Sequence, residues 1–134
     1  MRRIFRTGAG IIIGHVVVVV LTVIGFALFP DQRVPRDGGL LVALAATLIA
    51  VVAGVAGGYT AAFLARIRPL LSAAIVAVPL VVESVWLLTT RTPADEILFD
   101  SVGAVVLILS TLGGGAAREF QLRSHRRSET ALAA

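Results

Sequence analysis

Two ionisable side chains sit where an apolar chain has little use for them. Glu83 lies in the run Leu70–Thr89, eight residues before Arg91, and His15 lies in the run Gly8–Phe29, nine residues after Arg6. Eight residues of helix span about 12 Å, which would place Glu83 inside the hydrocarbon of a bilayer. An ionised side chain near the middle of a span costs roughly 2.5–3.5 kcal/mol on insertion scales, so Glu83 should face protein or water. Pro79 precedes it by one turn. Proline has no N–H to offer the carbonyl of Ile75, so a kink is expected there. An acid beside a kink suits a proton or cation site, with Asp100 of the fourth run as a second candidate. The plainer reading of Glu83 is structural, a carboxyl group hydrogen-bonded to a neighbouring Ser, Thr or carbonyl.

Counting along each run from its nearest arginine sorts the polar residues by depth. Thr22, Thr47, Ser84, Asp100 and Ser101 fall in the outer half with Glu83; His15, Tyr59, Ser110 and Thr111 fall in the inner half. An imidazole–phenol hydrogen bond between His15 and Tyr59 is therefore expected, with His15 a buried donor and not a metal ligand. Ser84, Glu83 and His15 make a nucleophilic triad by residue type alone, but the depth count separates His15 from the other two. There are no cysteines, which removes thiolate catalysis, disulfides and Cys-based metal sites. No Gly-rich phosphate loop lies outside the apolar runs. The expectation is a non-enzymatic protein without cofactor or metal.

Four apolar runs must position these residues: Gly8–Phe29, Gly39–Ala65, Leu70–Thr89 and Ile97–Ala117. Each is close to the ~20 residues of helix that cross a bilayer core. The 134 residues are 57% hydrophobic, with a mean hydropathy of +0.95, and nearly every charge falls between the runs. The Val16–Val20 stretch is β-branched, but a lone apolar segment in lipid must satisfy its backbone internally and so is read as helix. The predicted architecture is an all-α four-span bundle of two antiparallel hairpins, followed by a basic tail over residues 118–134. That tail is expected to continue the last helix for a turn or two and then fray, its arginines at the anionic membrane surface.

Charge placement sets the orientation. Nine arginines (Arg2, Arg3, Arg6, Arg66, Arg68, Arg118, Arg123, Arg126, Arg127) fall on one side of the runs. Arg33, Arg36 and Arg91 fall on the other, offset by Asp31, Asp37, Asp95 and Glu96. This is a positive-inside bias that puts both termini in the cytoplasm. It also argues against nucleic acid as the reason for the basic balance. Arginine without lysine, alongside abundant Ala, Gly and Val, fits a GC-rich bacterial genome and a bacterial cytoplasmic membrane. Met1–Arg6 resembles a signal-peptide n-region, but the apolar stretch after it is longer than the usual ~7–15 residues.

Local signals place the helix ends. Pro69 suits the first position of the third helix. Thr92, Pro93 and Asp95 form a capping-box-like start to the fourth, with Asp95 and Glu96 favouring its positive end. Trp86 is placed near the outer interface. Gly57-Gly58 and Gly113-Gly114-Gly115, each shortly before arginine, hint at a duplicated hairpin.

The second run carries a strong packing signal. Ala46, Ala50, Gly54, Gly58 and Ala62 recur every four residues, and Ala53, Gly57, Ala61 and Ala65 form a second ladder beside them. Small-residue stripes let helix backbones approach in lipid. They fit an internal bundle interface, with Gly10 and Gly14 as a matching stripe in the first run. Two adjacent ladders also raise the alternative of a homo-oligomer interface.

The stretch Gly57-Gly58-Tyr59-Thr60-Ala61-Ala62-Phe63-Leu64-Ala65-Arg66 resembles the second-helix ending of small bacterial four-helix membrane proteins of unassigned function, and implies their plan without an activity. Comparison with the small multidrug resistance transporters shows a departure, since those depend on an acid in the first helix and here the intramembrane acid is Glu83 of the third. The functional expectation is an interaction or accessory subunit, self-associating or docked to a larger membrane complex. The alternative is a small transporter or proton-coupled channel using Glu83 at the Pro79 kink.

Overall fold

The computed structural model describes residues 2–28, 39–65, 68–90 and 97–132. They form four helices: α1 (Arg2–Ala27), α2 (Gly39–Ala65), α3 (Pro69–Thr90) and α4 (Ile97–Leu132). All four are long and apolar enough to cross a membrane. The capping residues expected at Thr92, Pro93 and Asp95, and the outer charges Asp31, Arg33, Arg36, Asp37, Arg91 and Glu96, lie outside the described residues.

Helix α3 starts as its proline dictates. The Arg68 carbonyl accepts from the Ser72 N–H at 3.2 Å, so Pro69 occupies the first turn where no donor is needed. The helix continues through Pro79 to Thr90. Helix α1 begins at Arg2, earlier than the Gly8 predicted, because nothing in Arg2–Thr7 breaks a helix.

The largest difference is α4. The continuation expected past Ala117 is a turn or two, but the helix runs 36 residues to Leu132. Residues 116–132 contain neither Gly nor Pro, and Glu119 and Arg123 form a short i,i+4 ion pair across the first turn of the extension.

Helix α2 is the shared wall of the bundle. Its two small-residue ladders face two different neighbours of the same chain. Gly57, Ala61 and Ala65 take α1, where a methyl group on Gly10 or Gly14 would meet Ala65 or Ala61. Gly54 and Gly58 take α4, their α-carbons backed against Leu107, Ser110 and Thr111. The α1–α2 contact runs from Gly10 on Ala65 to Gly25 on Ile49, so the two helices run in opposite senses. On α4, Gly115 approaches Ala73 and Pro69 of α3. Helix α3 also touches α2 and α1, whereas α1 and α4 do not approach each other among the described residues. The four helices thus make a rhombus with α2 and α3 on its short diagonal.

Burial is uneven along this rhombus. Ala53, Ala61, Ala62, Ala65, Ala73, Val76, Ala77, Leu80 and Val18 form the core, with Ser72 and Thr111 buried among them. These cluster toward the end where α2 meets α3. On α3 the residues buried are Pro69, Ser72, Ala73, Val76, Ala77 and Leu80, none of them beyond Leu80. Nothing from Val81 to Thr90 is buried.

Candidate functional site

Small residues explain how polar side chains come to rest inside this bundle. Backbones that nearly touch leave little room between them, so a large polar side chain must lie at a seam between helices and not at the centre. His15 does so at the α1–α3 seam, next to Gly14, which is buried against α2. Its Nε2 lies 3.4 Å from Glu83 Oε1, with the two side chains 24% and 54% exposed. That is an ion-pair distance, longer than the 2.7–3.2 Å of an ordinary N–H···O bond.

The depth count had put this acid and this imidazole in opposite halves. His15 is eight residues past Thr7 and Glu83 fourteen past Pro69, at the ends where Thr7 and α2's Ala65 meet. Six residues of helix are about 9 Å. The 3.4 Å contact closes that gap, because a count along each helix fixes neither its tilt nor the reach of its side chains. Hydrophobic run length carries no information on tilt.

The structure gives His15 and Tyr59 separate partners. The Tyr59 hydroxyl donates to Gln121 Oε1 at 2.9 Å, a residue on the α4 extension. Arg118 donates to the same oxygen at 3.3 Å. Its guanidinium lies over the rings of Phe63 and Tyr59, at 4.9 and 5.9 Å from their centroids. The two rings stack at 6.5 Å. Gln121 was not among the candidate polar residues because the depth count covered only the apolar runs, which end at Ala117. The signal was the Arg118–Gln121 spacing of three, one helical turn.

Most hydroxyls are satisfied locally and do no work between helices. Thr47, Thr60, Thr89, Thr90 and Thr111 each donate to the carbonyl four residues back. Thr7 is different, since its hydroxyl donates to the Ala65 carbonyl at 3.1 Å and so closes one open carbonyl at the end of α2. Asp100 occupies the first turn of α4, exposed, where a carboxylate complements the helix dipole.

Two buried side-chain polar atoms have no hydrogen-bond partner among the described residues: His15 Nδ1 and Thr22 Oγ1. They lie seven residues apart, hence on one face of α1 and about 10 Å apart along it. Orphaned buried polar atoms of this kind are usual places for ordered water. Among the described residues no three His, Cys, Asp or Glu side chains gather as a metal site.

The arrangement places one imidazole and one carboxyl group side by side between α1 and α3.

Fold and site together define a class: an all-helical protein with four helices apolar enough to cross a membrane and a His–Glu pair between two of them. No protein-family model, curated protein or solved structure matches the chain.

Proposed function

We propose that this is a multi-pass protein of the bacterial cytoplasmic membrane, a non-enzymatic interaction or accessory subunit whose docking surface is the second half of α3. The observation that carries the reading is Glu83. It contacts His15 on one side and is 54% exposed on the bundle's outer surface, where a lone bundle would set it against hydrocarbon. A carboxyl group there calls for protein cover, and the helix around it, from Val81 to Thr90, has no buried residue to give it. The small-residue ladders of α2 no longer speak for a second copy, because α1 and α4 occupy them.

The membrane topology is part of this proposal. The nine-to-three arginine bias supports cytoplasmic termini, and the opposed course of α1 and α2 supports antiparallel hairpins. A reporter fused after Ala134 tests it, with external activity refuting it.

The cysteine-free chain allows a direct test of docking. Val82 and Ile12 are 63% and 65% exposed, on α3 and α1. In native membranes V82C should cross-link, to a second copy or to a distinct membrane protein, and I12C should not. Equal cross-linking at both positions, or none at V82C, refutes the docking surface.

A second reading is favoured by the orphaned atoms on α1. His15 Nδ1 and Thr22 Oγ1, continued by Glu83, mark a polar seam that would carry protons in a small proton-coupled channel or transporter. In proteoliposomes under a pH gradient, E83Q would then abolish proton uptake while leaving V82C cross-linking intact. No uptake by the wild-type chain rules out this second reading.

A further inference from the structure

We infer that the outward face of α2, closed at one end by the α4 extension, is a binding site for one anionic phospholipid, with its phosphate on Arg118 and an acyl chain along α2. Val51, Val52, Val55, Ala56, Tyr59 and Thr60 line an open groove of about 520 Å³. The groove is apolar and lies on the side of α2 turned away from its two ladders. Its far end is Tyr59, and there the chemistry changes from aliphatic to cationic.

Three features make Arg118 a headgroup site and not a general basic surface. First, the guanidinium is held in place: Phe63 and Tyr59 support it from below, and Gln121 Oε1 fixes it from the side while also accepting from Tyr59. A cation over aromatic faces is partly stabilised without water, and a planar guanidinium presents several N–H donors in an arrangement that matches phosphate oxygens. Second, it carries no carboxylate partner among the described residues, whereas Arg123, one turn further on, is neutralised by Glu119. Third, the position is right. The phenol of Tyr59 bridges apolar groove and polar end, as aromatic residues do at the membrane boundary. One charge above one apolar groove fits an amphiphile with a single anionic head. A polyanion would call for a cluster.

The inference rests on the membrane-spanning reading above but not on the docking role of α3. Membrane residence is tested separately by extraction with alkaline carbonate. The full chain, purified in mild detergent, is titrated with phosphatidylglycerol, with phosphatidylcholine of the same acyl chains, and with inorganic phosphate, and bound lipid is counted by native mass spectrometry. The wild type should retain one phosphatidylglycerol at least about five-fold more tightly than phosphatidylcholine, the factor that one basic residue near an anionic surface contributes. Inorganic phosphate should not compete. R118Q should lose the preference and R123Q should keep it. Retention of the preference in R118Q, equal loss in R123Q, or competition by inorganic phosphate overturns the site. If R118Q fails to fold, V55W decides: it fills the groove and leaves Arg118 in place, so wild-type lipid retention there also overturns it.

Discussion

Three consecutive glycines on α4 offer a test in which the chemistry of the change is constant and only its surroundings differ. A methyl group on Gly113 would meet nothing within 4 Å. On Gly114 it would lie 2.3 Å from the Val55 carbonyl oxygen and 2.7 Å from the Tyr59 nitrogen, both backbone atoms that cannot swing away. Ordinary contact begins near 3.4 Å, so α2 and α4 must part by about 1 Å to admit it. Overpacking of this kind costs about 1–3 kcal/mol. Alanine is favoured over glycine inside a helix by about 0.5–1 kcal/mol. Gly113→Ala should therefore stabilise by about 0.5–1 kcal/mol and Gly114→Ala destabilise by about 1–2 kcal/mol, a separation of roughly 2 kcal/mol between adjacent positions. Unfolding in mixed micelles of mild detergent and dodecyl sulfate, followed by circular dichroism and by the fluorescence of the single tryptophan, Trp86, measures both. Equal effects at the two positions, or the larger loss at Gly113, would mean that α4 does not present this face to α2.

Gly58→Leu should be worse still, since even a single methyl group there would lie 1.9 Å from the Thr111 carbonyl oxygen; the purified variant is expected to lose the monodisperse size-exclusion peak of the wild type. His15→Ala removes the imidazole 3.4 Å from Glu83 Oε1 and should cost about 1 kcal/mol, the worth of a part-exposed polar contact. The double variant H15A/E83Q should then be more stable than H15A alone, and micelle unfolding showing strict additivity would dissolve the pair. Thr7→Val removes the hydroxyl that donates to the Ala65 carbonyl and should cost about 0.5–1.5 kcal/mol in the same assay. Glu119→Ala breaks an exposed pair and should change helix content little, by about 0.5 kcal/mol at most; a large loss of ellipticity would show that this pair nucleates the extension.

The elements were more legible than their mutual arrangement. Helix α2 spans the apolar run read for it, Gly39–Ala65, and α3 differs from its run by one residue at each end, because Pro69 and the charged turns punctuate the sequence locally. The ladders were readable for the same reason: a four-residue spacing of small side chains is a property of one helix. The meeting of His15 with Glu83 depends on how α3 inclines against α1, and no local pattern encodes an inclination. The Tyr59–Gln121 bond joins two helices across 62 residues, and no local pattern pairs them. Lipid sets the limit of an apolar run, whereas a helix continues past it where no breaker intervenes.

That unbroken rod has a length to accommodate. Thirty-six residues of α-helix extend about 54 Å, against a hydrocarbon thickness of about 30 Å. With neither glycine nor proline between Ala116 and Leu132, the rod outlasts the hydrocarbon by about 24 Å, so its final turns must stand clear of the lipid tails if the spanning part is seated in a bilayer.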